Sequence, residues 1–252
     1  MPRYLTRNCD GSTNAKYEIL NSKSETSTNH QSPSVQNLCV CSDAVRRFSM
    51  LGVPPNMPSR AHYKLWNCTD SPMNKNKTKV EYLPDASVDA ALDAEIRRLL
   101  TTCFTKPQDA VFKDRRYFVE PYPHRWVIRD ARSAIIAHAG VHEKAVEADG
   151  RRFRVGGLAE VCVHPNYRGR GLVKAMVACI DEWLIACGYD FALLFGEPYI
   201  YQSSGYVLVN NLVYDEVTPA GEKYKAPEPA MVKELAGIPW PTTQVYLPGP
   251  KF

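Results

Sequence analysis

The chain has 252 residues and a mass of 28.4 kDa, with 44% hydrophobic and 23% charged side chains, enough to bury the core of one or two domains. It has no apolar run of the roughly 18 residues that a membrane-spanning helix needs, no opening stretch of signal-peptide character, and 8 cysteines, too sparse for a disulfide scaffold, so a cytoplasmic protein is expected. The formal charge of +4 divides as about +3 over residues 1–72 and +1 over 73–252, with signs interspersed in the latter, which argues against a nucleic-acid-binding face.

Residues 1–37 are dominated by Ser, Thr, Asn and Gln, and 38–72 are turn-rich, as in Val53-Pro54-Pro55-Asn56. Such segments bury too little to offset the entropy of ordering them. Residues 1–72 are therefore expected to form a disordered or loosely ordered leader. The leader is read either as an in-frame upstream extension, with Met73 as the natural start, or as a regulatory or targeting arm. Its Cys39-x-Cys41 pair with His62 and Cys68 fits no usual zinc spacing, and no metal is expected.

From Val80 onward the patterns sharpen. Val88 to Leu100 reads as a helix with Leu92, Ile96 and Leu99/Leu100 on one face, capped by Asp85 or Ser87. Trp126-Val127-Ile128 and Ser133 to Val141 are strand-like, and Asp149-Gly150 signals a turn. Leu158 to Val163 is a strand ended by His164-Pro165. Gly171 to Cys187 is a helix with Leu172, Met176, Ile180 and Trp183/Leu184 on one stripe. A buried strand Phe191 to Phe195, a short helix or loop at Tyr199 to Ser204, and strands at Tyr206–Val209, Leu212–Tyr214 and Gln244–Leu247 complete the order. This describes one α/β domain over residues 73–252.

The informative stretch is His164-Pro165-Asn166-Tyr167-Arg168-Gly169-Arg170-Gly171-Leu172-Val173, where a strand ends in a glycine turn that opens a helix. Unpaired N–H groups at the positive end of a helix, beside glycines that let a ligand approach, suit a diphosphate. The turn lacks the Gly-Lys-Ser/Thr of a P-loop and the full Gly-x-Gly-x-x-Gly of a dinucleotide fold.

Arg168-Gly169-Arg170-Gly171-Leu172-Val173 resembles the acyl-CoA loop of the GNAT superfamily of N-acetyltransferases, with Val173 where Gly or Ala is usual. Tyr201-Gln202-Ser203-Ser204-Gly205-Tyr206 resembles that family's Tyr-x-x-x-Gly-Phe segment, with Tyr206 in place of Phe. The resemblance covers roughly residues 80–214. It implies an acyl-CoA N-acyltransferase fold, a mixed and mostly antiparallel sheet flanked by helices. It also implies acetyl-CoA as co-substrate, bound by Val161, Cys162 and Val163 on the strand and by Arg168, Gly169, Arg170, Gly171, Leu172 and Val173 in the loop. An N–H of Val163 or Cys162 would hold the thioester oxygen, and Tyr201 stands where the acid for the departing thiolate is expected.

Glu160 is the expected base. As it lies two residues from Cys162 on a strand, both side chains are expected on one face, with a structural ion pair as the other reading. His138 and His142, four apart in a strand, are either structural or line the acceptor groove. The acceptor is expected to be a small, cationic primary amine, and the resemblance of the segments 138–141, 150–157 and 168–173 to aminoglycoside 2′-N-acetyltransferases implies an aminoglycoside antibiotic and hence a resistance enzyme. Glu120, Glu160, Glu197, Asp215, Glu216 and Glu222 are the acids available to it. Nodulation acyltransferases, other sugar, polyamine or protein amines, and a non-catalytic acyl-CoA-binding module are the alternatives. A homodimer is left open.

Overall fold

The computed structural model describes residues 78–218 and 220–252, and the expectations for the 1–72 leader, including its Cys39-x-Cys41 pair, lie outside the described residues. In chain order the elements are β1 (Glu81–Pro84), α1 (Ala90–Cys103), β2 (His124–Arg129), β3 (Ile135–Ala148), β4 (Arg151–Val163), α2 (Leu172–Ala186), β5 (Phe191–Leu194), α3 (Pro198–Tyr201), β6 (Val207–Val209), β7 (Leu212–Val217), β8 (Lys223–Pro227), β9 (Ala230–Glu234) and β10 (Val245–Leu247).

Asp149 and Gly150 both take positive φ, 51° and 71°, and close a two-residue hairpin in which Ala148 faces Arg151. Primed turns need this conformation, which Asp tolerates and Gly adopts freely. The hairpin is longer than the sequence suggests: the strands expected at 133–141 and 158–163 continue to the turn. Alternation hides beneath the basic residues, since Arg152 and Arg154 are exposed while Phe153 and Val155 are buried.

The long β3 serves two neighbours. Its first half pairs with β2, which pairs with β1, and its far end meets β10 at Glu147–Tyr246. The sheet order is β6-β9-β5-β4-β3-β10-β7-β8, with only β4–β5 and β7–β10 parallel. The expected α/β class and mixed, mostly antiparallel sheet are what the chain adopts.

The two long helices cover opposite sides of the hairpin. Leu172, Met176, Ile180, Trp183 and Leu184 of α2 bury against Trp126, Ile128 and Val141. Ile96, Leu99 and Leu100 of α1 bury with Phe112, Val127, Ile135 and Cys162. Each fully buried aliphatic or aromatic side chain here contributes about 1.5–3 kcal/mol of transfer free energy. The cap of α1 is Asp89, whose carboxylate accepts from Leu92 N at 2.8 Å, rather than Asp85 or Ser87. Asp85 is drawn away by Arg116, at 2.8 and 2.9 Å, and by Arg125.

Two features of β4 position the site. Its pairing with β5 ends at Leu158–Leu194; β4 runs on to Val163 while the other chain turns through Gly196 into α3. The two parallel chains thus part and leave one edge of residues 159–163 without a strand partner among the described residues. The β3–β4 register also slips, His138 facing Cys162 but Gly140 facing Ala159, so Glu160 and Val161 together oppose Ala139. This is a β-bulge, and Glu160 takes φ 43° in it, a conformation that costs a non-glycine residue about 1–3 kcal/mol.

Candidate active site

The bulge corrects one expectation at once: it breaks the alternation, so Glu160 and Cys162 do not share a setting. The Cys162 side chain lies in the apolar cluster under α1, with Cys103 packed against that cluster. The neighbouring Cys103 thiol and burial push the Cys162 thiol well above the ordinary range, so it stays protonated and is a poor nucleophile. Glu160 instead turns toward the segment before β2. Its Oε1 accepts from Phe118 N at 2.9 Å, while its Oε2 is sealed from solvent with no hydrogen-bond partner among the described residues. Burial raises the carboxyl to about 7, against the opposing pull of Phe118 N, Tyr122 and Arg125. A carboxyl poised near neutrality is suited to take up and release protons.

Around Glu160 lies a group of side chains that includes two the sequence did not single out, Arg125 and Tyr122. Arg125, fully buried on β2, donates to Asp85 and, at 3.4 Å, to His138 Nε2, and its guanidinium sits 4.3 Å from the centre of the Tyr122 ring. The Tyr122 hydroxyl donates to Arg116 O at 2.9 Å. Its ring lies where a side chain at position 140 would be: a Cβ built on Gly140 falls 2.2 Å from the ring. The one available signal was a charge inside the apolar run His124-Arg125-Trp126-Val127-Ile128, since a charge is buried only when paired.

The two histidines are buried rather than open to a groove. His138 Nδ1 donates to Glu160 O at 3.0 Å, and burial together with Arg125 lowers it to about 3. His142 lies edge-on to Tyr122, 5.1 Å between ring centres, and near Phe252 at 5.2 Å, and burial with Lys144 lowers it to about 4. Both are neutral near pH 7 and neither is a base for the site.

At the far end of the cleft, Gly169 and Gly171 adopt φ of 75° and 73°, and an added Cβ at either would meet nothing within 4 Å. Gly171 begins α2 with no side-chain cap and no acid in the first turn. By contrast, α1 has its Asp89 cap and Asp93. The first N–H groups of this 15-residue helix therefore have neither a side-chain cap nor an acid at its positive end. Arg168 donates from Nε to Val163 O at 3.2 Å and Arg170 from Nη2 to Asn166 O, also at 3.2 Å, tying the loop to the strand end. His164 N bonds back to Ile136 O on β3. Cys162 N points toward β3 and, by alternation, Val163 N to the other, unpartnered edge; within the bulge, Glu160 O turns to His138 on β3, so the N–H of Val161 in the same trans peptide points away from β3.

Tyr201 ends α3 on the side of the cleft opposite β4. It is 6% exposed, its ring packs against Gly196, and it lies 6.1 Å from the Tyr206 ring. Burial and the nearby Cys162 sulfur push its phenol up to about 12, so it is protonated at any working pH. Tyr206 is fixed in turn, its hydroxyl donating to the buried Asp181 at 2.8 Å, where Lys233 also binds at 2.8 Å. The structure thus brings the Val161 and Val163 backbone and the 168–173 turn along one edge, while the Glu160 carboxyl turns from it toward Phe118; Tyr201 packs in the same core as Val161 and Val163. Among the described residues, no three His, Cys, Asp or Glu side chains are grouped to share a metal ion.

A parted parallel strand pair, a bulge, and a bare helix N-terminus after a Gly-x-Gly turn define a GNAT fold. Residues 89–209 match the family profile described as acetyltransferase (GNAT) domain. Solved structures to which the chain is similar include a GNAT-family N-acetyltransferase (YhbS) from Escherichia coli in complex with CoA, 20% identical over 68% of this chain and 90% of that one, with a TM-score of 0.48. A GNAT-family acetyltransferase from Brucella melitensis in complex with acetyl-CoA is 16% identical over 66% and 94%, at 0.42. The ribosomal-protein-S18-alanine N-acetyltransferase from Escherichia coli is 15% identical over 64% and 96%, at 0.40. No curated protein matches the chain in sequence. No described helix is long and apolar enough to cross a membrane.

Proposed function

We propose that the chain transfers the acetyl group of acetyl-CoA to a primary amine by direct attack on the thioester. The observation that carries this reading is the single edge on which the Val161 and Val163 N–H groups and the open N-terminus of α2 follow one another. The co-substrate fits there: Val161 and Val163 would pair with the pantetheine amides as an added strand does. The N–H groups of the 168–173 turn would hold the diphosphate in the space that the two glycines leave.

Acetyl-CoA supplies the activated acyl group, and the chain's residues manage charge and protons. A bulge-side N–H, that of Val161, is positioned for the oxygen as it gains negative charge. This replaces Cys162 N, which faces β3. Glu160 accepts a proton from the incoming ammonium, and Tyr201 donates a hydrogen bond to the departing sulfur. No protein nucleophile is needed, in keeping with a Cys162 held as a thiol.

The acceptor is a small amine. Of the six acids considered for a polycation, Glu120 is paired with Lys144, Asp215 accepts from Tyr246 and Gly249, and Glu216 accepts from Tyr214. An aminoglycoside is therefore one member of the test panel, beside amino sugars, polyamines and peptide amines. Release of free CoA thiol in the presence of this panel tests the reading: turnover with at least one amine is expected. Tight acetyl-CoA binding without turnover on any amine would favour a non-catalytic acyl-CoA-binding module. Residues 73–252 alone are expected to fold and keep that turnover, checked by soluble expression and the same assay.

Gly171→Glu tests the co-substrate site. A carboxylate at a helix N-terminus favours the helix, and the left-handed conformation costs the new side chain about 1–2 kcal/mol, so the fold should survive. The charge, however, occupies the diphosphate position. Acetyl-CoA affinity by calorimetry is expected to fall by at least about 100-fold, the equivalent of about 2.7 kcal/mol. A folded variant that binds acetyl-CoA as the native chain does would remove this site.

A further inference from the structure

We infer that His138 is a positioning residue: it holds the β4 bulge in shape by capturing the carbonyl of Glu160, and is itself held by Arg125. The inference rests on the reading above, in which the bulge borders the thioester. The geometry comes in three links. Glu160 sits at φ 43°, where a non-glycine side chain persists only if its surroundings hold it. Its carbonyl, turned out of the ladder by the register slip at His138/Gly140, receives the His138 Nδ1–H at 3.0 Å. His138 Nε2 is then the acceptor for Arg125 Nη1 at 3.4 Å, and Arg125 is anchored on Asp85. His138 and Arg125 are both fully buried.

A carbonyl only accepts and a guanidinium only donates. The imidazole between them must therefore carry its proton on Nδ1 and stay neutral, the less common tautomer for a free histidine. The groups facing it are Arg125 from β2, Tyr122 from the segment before β2, 6.2 Å between ring centres, and Glu160 from β4. The cation among them opposes protonation of His138. The pin acts on both ends of the Glu160 residue: its side chain is fixed by Phe118 N and its backbone by His138. Together these set the direction of the carboxylate and of the Val161 N–H that follows it.

Two measurements test the pin. The first is 15N NMR of His138 in the native chain from pH 5 to 9, where an unchanging Nδ1–H neutral imidazole is expected. An Nε2–H tautomer, or an imidazolium forming at pH 6, would overturn the proposal. The second is kinetic. His138→Leu removes the donor within similar volume, and is expected to lower kcat by roughly 10–100-fold, the scale of a misplaced catalytic group. Its KM for acetyl-CoA should change little, and the midpoint of its acid limb should move from about 7. His138→Asn places an amide N–H near the position of Nδ1 and should recover most of kcat and the limb; it also serves as the readable variant if the leucine form does not fold. Native kcat and an unmoved limb in folded His138→Leu, or no recovery in folded His138→Asn, would overturn the pin. Glu160→Gln keeps the backbone carbonyl, so the two ideas separate. Loss of activity in Glu160→Gln with native behaviour in His138→Leu removes the pin alone, and the reverse pattern removes the base alone.

Discussion

Glu160→Gln is expected to lower kcat by about 10²–10⁴-fold, the range for loss of a general base, and to abolish the acid limb of kcat/KM. In the native enzyme that limb should have its midpoint near 7, because burial raises Glu160 to about that value. Only the carboxylate accepts a proton, so activity rises with pH through the midpoint. The same shift has a consequence for stability with its own sign. Glu160 is protonated more readily in the folded than in the unfolded chain. Its favourable contribution is therefore complete below about 4.5, the unfolded value, and is lost as pH rises through about 7. A glutamine never ionises. The variant should accordingly melt higher than the native chain at pH 8, with the gap closing by pH 5, measured by thermal unfolding at both. Full activity in a folded Glu160→Gln, with the limb intact, would assign the limb to another group.

Tyr201→Phe is the second large effect. A phenol at about 12 cannot hand a proton outright to a thiolate whose conjugate acid lies near ~8.5 without an uphill step of about 5 kcal/mol. The role proposed for it is therefore to donate a hydrogen bond as charge grows on sulfur, with the proton moving as the bond to carbon breaks. Removing the hydroxyl is expected to lower kcat by about 10²-fold or more. Acetyl-CoA affinity should be kept, since the ring still packs on Gly196. A donor with a more acidic thiol needs less help at sulfur and should partly rescue the variant. If kcat stays within about threefold with chemistry rate-limiting, Tyr201 is a packing residue and not the acid. A raised acceptor KM with kcat preserved would instead make it a binding residue.

The helices, the hairpin turn and the glycine loop were legible in the sequence because each depends on local rules. The α2 stripe repeats at helical spacing, Asp149-Gly150 is a dipeptide that tolerates positive φ, and Gly169 and Gly171 stand where a strand gives way to a helix. The full lengths of β3 and β4 were not, since their basic outer face masks the alternation. Short strands such as β1, β8 and β9 carry too few residues for a period to show. The cap of α1 was misassigned among neighbouring candidates because the arginines that claim Asp85 lie 31 and 40 positions away.

By itself, the sequence determined the class of the domain, the loop that opens α2, and the presence of Glu160 and Tyr201 at their places in the pattern. Only the tertiary structure decided what those residues are able to do. The bulge, visible only once β3 and β4 are in register, separates Glu160 from Cys162 and turns its carbonyl to His138. Burial in the folded chain lifts Glu160 toward neutrality, against the pull of Phe118 N, Tyr122 and Arg125, which reach it from 35 to 42 positions away along the chain. The chemistry of a carboxyl follows the dielectric and the partners around it, and long-range packing, which no local pattern encodes, supplies both.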